Sequence, residues 1–227
     1  MLSAFEGMSG EALKRALALG GRLRNPFPNE DPPPYAVLVE FSSIRPMRIG
    51  ETALDRILEA CVADWWERAD PATIDALIGP PEELWAVRHA MSEGLRASGR
   101  LIGFDLAFRR SDLMAFRQAA VAALAENFPE FTVCDFGHIG DGGVHFNLVC
   151  DPDQAPDEGR ARALRQRVYD LAVVQFGGSF SGEHGLGRAN LPYYRAYTPP
   201  MIQSISGAVQ RAFTQSPLGV VSYDATV

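Results

Sequence analysis

Apolar residues recur three and four positions apart over several stretches of the chain. In the stretch 51–66 they include Leu54 and Ile57, which predicts a helix with one apolar face. Apolar spacing and helix start and stop signals together predict five helices, at 9–19, 51–66, 80–97, 111–128 and 157–176. Ser9 and Ser111 are the expected N-caps of the first and the fourth of these helices.

Short apolar runs that contain β-branched and aromatic residues predict strands, at 35–41, 101–108, 132–137 and 144–149. The first of these runs is continuously apolar and is expected to be buried on both faces. Trp65 and Trp66 are expected to pack in the core in preference to forming a platform for a substrate. From residue 35 onward the order is β-α-β-α-β-α-β-β-α, with 71–78 as an ambiguous second strand, and this order predicts an α+β fold.

Three of the four histidines lie in two short segments. The first segment, 137–147 (GHIGDGGVHFN), contains a glycine-rich turn between two predicted strands. This pattern predicts a β-hairpin that brings His138, at the end of one strand, close to His145, at the start of the next. Because the side chains of a strand alternate between its two faces, His145 and Asn147 are expected to share a face.

The second segment, 181–185 (SGEHG), holds Glu183 and His184 between glycines, which allow the backbone to approach a ligand closely. His138, His145 and Glu183 would supply two imidazoles and one carboxylate, a common ligand set for a metal ion that keeps positions open for substrate. His184 would then be available as a base. A purely structural role is the competing interpretation, since the spacing matches neither a zinc finger nor an H-E-x-x-H helix.

Composition restricts the classes of function that the chain can have. With 227 residues, of which 47% are hydrophobic, it can bury a substantial core. A net charge of -7 without any block of basic residues argues against a nucleic-acid partner. The three cysteines, Cys61, Cys134 and Cys150, are odd in number and widely spaced, which favours reduced thiols in a cytoplasmic protein. Cys134 and Cys150 are expected to lie in the core beside the strands and not to bind a metal. Neither a signal peptide nor an apolar span of about 20 residues is recognisable, so membrane association would require a partner.

The two histidine-containing segments closely resemble the G-H-x-G-D-G-N-x-H-x-N and S-G-E-H-G-x-G signatures of the C-terminal domain of FAD-linked oxidases. This family contains glycolate oxidase large subunits, D-lactate dehydrogenases and D-2-hydroxyglutarate dehydrogenases. The similarity extends along nearly the whole chain. Residues 2–6 resemble the entry into this domain, 37–41 its first strand and 85–88 its W-x-x-R helix.

The resemblance implies a ferredoxin-like fold, an antiparallel sheet covered by helices, with residues 1–227 as one substrate- and metal-binding domain. It also suggests a strand at 71–78. The N-terminal FAD-binding domain of the family is expected to be absent from this chain, so FAD would be bound mainly by another domain or subunit. A homodimer is left open.

For the reaction, the resemblance implies oxidation of a 2-hydroxy acid to a 2-oxo acid. His138, His145 and Glu183 would hold a divalent ion, Zn, Mn or Fe, and His184 would accept the hydroxyl proton.

The resemblance also implies a binding site for the carboxylate of the substrate. Arg88, from the W-x-x-R helix, would bind that carboxylate, with Ser92 one helical turn further along. Asn147 would donate a hydrogen bond to the bound acid.

Three positions depart from the pattern of the family. Many relatives carry a lysine just before the aromatic-Asp pair of the third strand, where this chain has Gly103 before Phe104 and Asp105. Gly143 stands where the family usually has asparagine. The tail 216–222 follows the family only in part, which puts its contact with flavin in doubt.

Two other classes of function compete with the substrate-binding part of an FAD-dependent dehydrogenase. One is a non-catalytic module that binds a metal or a hydroxy acid and regulates a partner. The other is a metal-dependent hydrolase that uses the same two histidines and glutamate with bound water.

Overall fold

The chain is an α+β protein in which helices accompany one antiparallel sheet. The computed structural model describes residues 2–21, 23–27, 31–44, 48, 51–69, 75–214 and 221–223. The seven α-helices within these residues are α1 (Gly10–Leu17), α2 (Leu54–Arg68), α3 (Pro81–Ala97), α4 (Arg110–Asn127), α5 (Glu158–Tyr169), α6 (Leu191–Tyr197) and α7 (Pro200–Phe213).

The strands of the described residues form a single six-stranded sheet. They are β1 (Leu2–Ser9), β2 (Tyr35–Phe41), β3 (Arg100–Ala107), β4 (Thr132–Val133), β5 (Phe136–Gly137) and β6 (Gly143–Cys150). Their order is β2-β1-β5-β6-β3, and β4 pairs with β6 off this path. The pairs β1–β2, β1–β5 and β4–β6 are all antiparallel, which confirms the predicted fold class.

The residues separate into two compact units. The first unit consists of 1–102, 132–140 and 147–152, and the second of 103–131, 141–146 and 153–227. Strands β3 and β6 each contribute residues to both units.

The core of the first unit lies between its strands and the helices α1 and α3. Its buried apolar side chains include Met8, Leu13, Leu38, Val87, Met91, Leu95, Phe136 and Val149. Helix α3 lies close against α1 at Gly94, where an added Cβ would lie 2.5 Å from the carbonyl oxygen of Arg15. Only glycine allows two helix backbones to come this near to each other.

The core of the second unit is largely aromatic. Phe116 of α4 stacks on Phe108, with ring centroids 4.4 Å apart, and meets Phe146 edge-on at 5.4 Å. Phe104 of β3 contacts Tyr169 of α5 edge-on at 5.2 Å. These contacts bury one face of β3 and of β6, and the opposite face remains for polar side chains.

All five predicted helices form. Ser9 caps α1 as expected, because its hydroxyl accepts a hydrogen bond from the backbone N–H of Ala12. Helix α4 begins two residues earlier than expected, with Arg109 and not Ser111 at its N-cap. The predicted helix 157–176 is α5 followed by a π-helical stretch, Asp170–Gln175.

The predicted hairpin forms with an interruption. Thr132 pairs with Val149 and Val133 with Leu148, so the two predicted strands are antiparallel neighbours. The first strand is then broken between β4 and β5, and β5 pairs with β1 through Gly137 and Gly7.

The prediction that residues 35–41 are buried on both faces is wrong. Val37 and Val39 are 44% and 37% exposed, whereas Leu38 between them is buried. Strand β2 lies at the end of the sheet order, with β1 as its neighbour. A continuous apolar run shows that a strand is hydrophobic, but it does not show how many elements cover it.

The prediction that Trp65 and Trp66 pack in the core is also wrong. They are 45% and 37% exposed, and no residue of α2 is buried. The apolar periodicity predicted the helix correctly but did not predict how far it is buried, since the same pattern occurs in core helices and in surface helices.

Three elements were not predicted from the sequence. Strand β1 and helices α6 and α7 lie in segments for which the sequence pattern predicted neither a helix nor a strand. In the suggested strand 71–78, residues 75–78 have no regular secondary structure, and 71–74 lie outside the described residues. Among the helices that the structure describes, none combines the length and the apolar composition that crossing a membrane requires.

Candidate metal centre

Four side chains of the second unit converge on one point. Asp105, His145, Glu183 and His184 each offer one ligand atom, and these atoms all lie within 4.8 Å of one another. The Nε2 atom of His145 lies 3.0 Å from Oε1 of Glu183. The rings of His145 and His184 stack with centroids 5.1 Å apart and planes 12° from parallel.

The donor set suits a transition-metal ion or zinc. Donor atoms that share an ion at about 2.0–2.2 Å lie at most about 4.4 Å apart, so the observed separation needs only a small contraction. Imidazole nitrogens favour Zn, Mn or Fe over Ca or Mg. The residues therefore fit the predicted divalent ion in both spacing and chemistry.

Strand alternation brings two of these residues together. In β6, Val144 and Phe146 are buried in the aromatic core, and His145 between them faces the other way with 17% of its side chain exposed. In β3, Phe104 and Leu106 are buried, and Asp105 between them has 11% of its side chain exposed. Each strand thus presents its polar side chain on the face opposite to the core.

Asp105 holds the loop that carries Glu183 and His184. Its Oδ2 accepts hydrogen bonds from the backbone N–H groups of Gly182, Glu183 and His184, at 3.0, 2.8 and 2.7 Å. Three successive N–H groups that converge on one oxygen form an anion-binding nest. The loop therefore takes its shape from a carboxylate 77 residues earlier in the chain.

The glycine before Glu183 is required by this arrangement. A Cβ at Gly182 would lie 2.9 Å from Oδ1 of Asp105 and 3.2 Å from the carbonyl oxygen of Leu106. Any side chain here would crowd β3, because the backbone of the strand fixes the carbonyl oxygen of Leu106 and three hydrogen bonds to the loop hold the carboxylate of Asp105.

The structure brings His145 and Glu183 together, as predicted, and adds Asp105 and His184 to them. His184 is 68% exposed and its Nδ1 lies 3.9 Å from Oδ2 of Asp105, so its predicted role as base stays a prediction. His138 belongs to the first unit, and its ligation of the same ion stays a prediction based on the resemblance.

His138 and Arg88 meet at a buried carboxylate in the first unit. Glu6 of β1 is 3% exposed, and its Oε2 accepts a hydrogen bond of 2.8 Å from Nε of Arg88. Its other oxygen, Oε1, lies 2.5 Å from Nδ1 of His138. The guanidinium of Arg88 also lies over the ring of Phe136, 4.7 Å from its centroid.

The other predicted substrate-binding residues differ in exposure. Asn147 is 8% exposed and lies in β6 two residues after His145, on the same face of the strand, as predicted. Ser92 is exposed, whereas Arg88 one turn earlier is 9% exposed. A binding role for each of the three stays a prediction.

Cys134 and Cys150 are buried, as expected. Burial raises the pKa of the Cys134 thiol to about 12, so this thiol stays protonated at neutral pH and is a poor metal ligand.

The tail 216–222 follows the pattern of the family only in part. Residues 216–220 of this tail lie outside the described residues.

Sequence reasoning missed the roles of Asp105 in the second unit and of Glu6 in the first. Both carried a signal that could have been used, since each is the only acidic residue of a mainly apolar strand. A charge in such a strand needs a partner when the strand is buried.

Comparison with known proteins identifies the family of the chain. The family "FAD linked oxidases, C-terminal domain" matches residues 1–213. The chain is 30% identical to a D-2-hydroxyglutarate dehydrogenase of Stutzerimonas stutzeri over 97% of this chain and 46% of that protein. It is 31% identical to a D-2-hydroxyglutarate dehydrogenase of Xanthomonas citri (85% and 39%) and 30% identical to a D-lactate dehydrogenase of Anaerostipes hadrus (72% and 33%).

The chain thus spans less than half of the length of each of these relatives. The family match, in contrast, covers nearly all of the chain, including both histidine-containing segments. The chain belongs to the C-terminal domain family of the FAD-linked oxidases.

Proposed function

We propose that residues 1–227 form the substrate- and metal-binding part of an FAD-dependent dehydrogenase that oxidises a 2-hydroxy acid to a 2-oxo acid. The observation that carries this proposal is the cluster of two imidazoles and two carboxylates in the second unit. Membership of the FAD-linked oxidase family supports it. The names of the relatives, D-2-hydroxyglutarate and D-lactate dehydrogenases, support the class of substrate.

His145 and Glu183 are the proposed metal ligands within the cluster, and His138 is the third ligand that the resemblance implies. When bound, a divalent ion would lower the pKa of a hydroxyl group that it coordinates. Asp105 shapes this site through the loop, since it holds the backbone on both sides of Glu183.

Arg88 is proposed to bind the carboxylate of the substrate, and the cluster is proposed to bind its hydroxyl group. The Nε of Arg88 is engaged by Glu6, and the guanidinium also carries the Nη1 and Nη2 donors, which can bind a carboxylate. Asn147 would hold the acid through its side-chain amide.

His184 is the proposed base. An unprotonated ring nitrogen of His184 would accept the hydroxyl proton while the hydrogen on the α-carbon leaves as a hydride. FAD, which we propose to be bound mainly outside residues 1–227, would supply the hydride acceptor. The products are then a 2-oxo acid, reduced flavin and a protonated His184.

Small monocarboxylic hydroxy acids are the proposed substrates. Gly103 lies on the same face of β3 as Asp105 and carries no side chain where many relatives carry lysine. A second substrate carboxylate would therefore lack the cation that this lysine would supply. Glycolate and lactate fit this site better than 2-hydroxyglutarate.

Calorimetric titration of the zinc-loaded protein with lactate and with 2-hydroxyglutarate tests this proposal. We expect lactate to bind more tightly, and we expect Gly103→Lys to improve binding of 2-hydroxyglutarate alone. Tighter binding of 2-hydroxyglutarate to the unchanged protein would contradict the substrate class. Metal-dependent hydrolysis of an ester by the chain would favour a hydrolase instead.

A further inference from the structure

The buried carboxylate of Glu6 connects two groups that the proposed function uses separately. One of its oxygens accepts a hydrogen bond from Nε of Arg88 and the other lies 2.5 Å from Nδ1 of His138. The three residues come from β1, α3 and the segment that follows β5, 82 and 132 residues apart in sequence.

Burial makes the contact with Arg88 obligatory. Glu6 and Arg88 are 3% and 9% exposed, and a charge that is buried to this extent is tolerated only when it is paired and hydrogen-bonded. Arginine remains protonated under all ordinary conditions, so the residue that balances it is the carboxylate form of Glu6.

The carboxylate in turn selects one tautomer of His138. A carboxylate oxygen only accepts hydrogen bonds, so the nitrogen that faces it, Nδ1, must carry the proton. In a neutral imidazole ring the lone pair then resides on Nε2. A carboxylate behind a histidine is also the usual way in which proteins orient a metal-ligating ring.

We propose that Glu6 is a positioning residue that fixes the guanidinium of Arg88 and holds His138 in the tautomer that presents Nε2 as an electron-pair donor. This inference rests on the proposed function for what Arg88 and His138 bind. It adds that both groups are positioned by the same side chain, so that recognition of the substrate carboxylate and ligation of the metal depend on one residue.

The variant Glu6→Gln tests the proposal with little change in shape. A glutamine side chain can still accept a bond from Arg88, but it carries no charge and can present an N–H group to His138. The matched control is Glu40→Gln on the neighbouring strand β2, where the carboxylate accepts a hydrogen bond of 2.8 Å from Nε1 of Trp85.

The first readout is the tautomer of His138, measured by nitrogen-15 NMR of the metal-free full chain and assigned with His138→Gln. We expect the Nδ1–H tautomer in the unchanged protein and in Glu6→Gln a loss of this preference, whereas Glu40→Gln should match the unchanged protein. An Nε2–H tautomer in the unchanged protein would overturn the proposal without any need for the variant to fold. The same Nδ1–H tautomer in Glu6→Gln would overturn it as well.

The second readout is the affinity for Zn²⁺, measured by competition with a chelator. Loss of an outer-shell carboxylate behind a histidine ligand is expected to weaken binding by about 10- to 100-fold, with no change for Glu40→Gln. Equal affinity in Glu6→Gln and in the unchanged protein would overturn the proposal while leaving the metal site in place. Failure of the unchanged protein to bind Zn²⁺ would contradict the proposed function, and the tautomer of His138 would then decide the role of Glu6 on its own.

Discussion

Replacement of Asp105 by asparagine should loosen the loop that carries Glu183 and His184 without unfolding the second unit. The carboxylate accepts three backbone N–H bonds, and asparagine keeps an acceptor oxygen of similar shape but removes the charge. Hydrogen bonds to charged groups contribute about 1.5–3 kcal/mol and those between neutral groups about 0.5–1.5, so each bond loses about 1 kcal/mol.

Three such bonds would lose about 3 kcal/mol if they were fully buried. The loop is exposed, so solvent screens part of this contribution, and a local loss of about 1–2 kcal/mol is expected. Amide hydrogen exchange at residues 182–184 should therefore become about 5- to 30-fold faster in Asp105→Asn.

The assay is amide exchange followed residue by residue by NMR, with Asp157→Asn as the control. Asp157 caps α5 in the same unit and accepts one backbone bond, from Arg160 at 2.7 Å, so its replacement leaves the loop untouched. The same exchange rates at 182–184 in Asp105→Asn and in the unchanged protein would refute the role of Asp105. A collapse of protection throughout the second unit would show that Asp105 supports the fold and not the loop.

Two further predictions concern stability. Gly94→Ala should lower the free energy of unfolding by up to about 2 kcal/mol in urea titration, because overpacking against α1 costs about 1–3 kcal/mol and the higher helix propensity of alanine offsets about 1 kcal/mol of this cost. Gly79→Ala, whose Cβ would meet only Leu84 at 3.5 Å or more, is the control, and equal losses in both would refute the close contact. The hydrogen bonds from Arg160 hold the pKa of Glu130 below its usual value. The ion pair therefore stabilises the fold at a pH above the ordinary pKa of glutamate. This stabilisation is lost as the pH falls through the lowered pKa of Glu130. Glu130→Gln should therefore lower the melting temperature modestly at pH 7 and progressively less below about pH 4, and a difference that grows in acid would contradict this.

Those elements of the fold were predictable whose signals lie within a short stretch of sequence. Helices α3 and α4 follow from apolar spacing, and the pairing of β4 with β6 follows from a glycine-rich turn between two apolar runs. The depth of an element was not predictable in this way. Val37 and Trp65 are exposed although their segments are apolar, because exposure depends on which other elements pack nearby.

The residues of the site were likewise predictable only where a local motif contained them. His145 and Glu183 were paired from their motifs, and the structure places their side chains 3.0 Å apart. The roles of Asp105 and Glu6 were not predicted, because their partners lie 77 or more residues away in the sequence and only the folded chain brings them together. Each of them contacts a residue that the motifs predicted, so the motifs pointed to the candidate ligands but not to the carboxylates that contact them.

Elemental analysis is the decisive test of the proposal that the cluster around His145 holds a divalent metal ion. Protein purified without chelator should contain close to one equivalent of Zn, Mn or Fe, and His145→Ala should lose it. His89→Ala is the matched control, since His89 is exposed on α3 and stacks on Trp85 outside the cluster, and it should keep the metal. The same metal content in His145→Ala as in the unchanged protein would contradict the account.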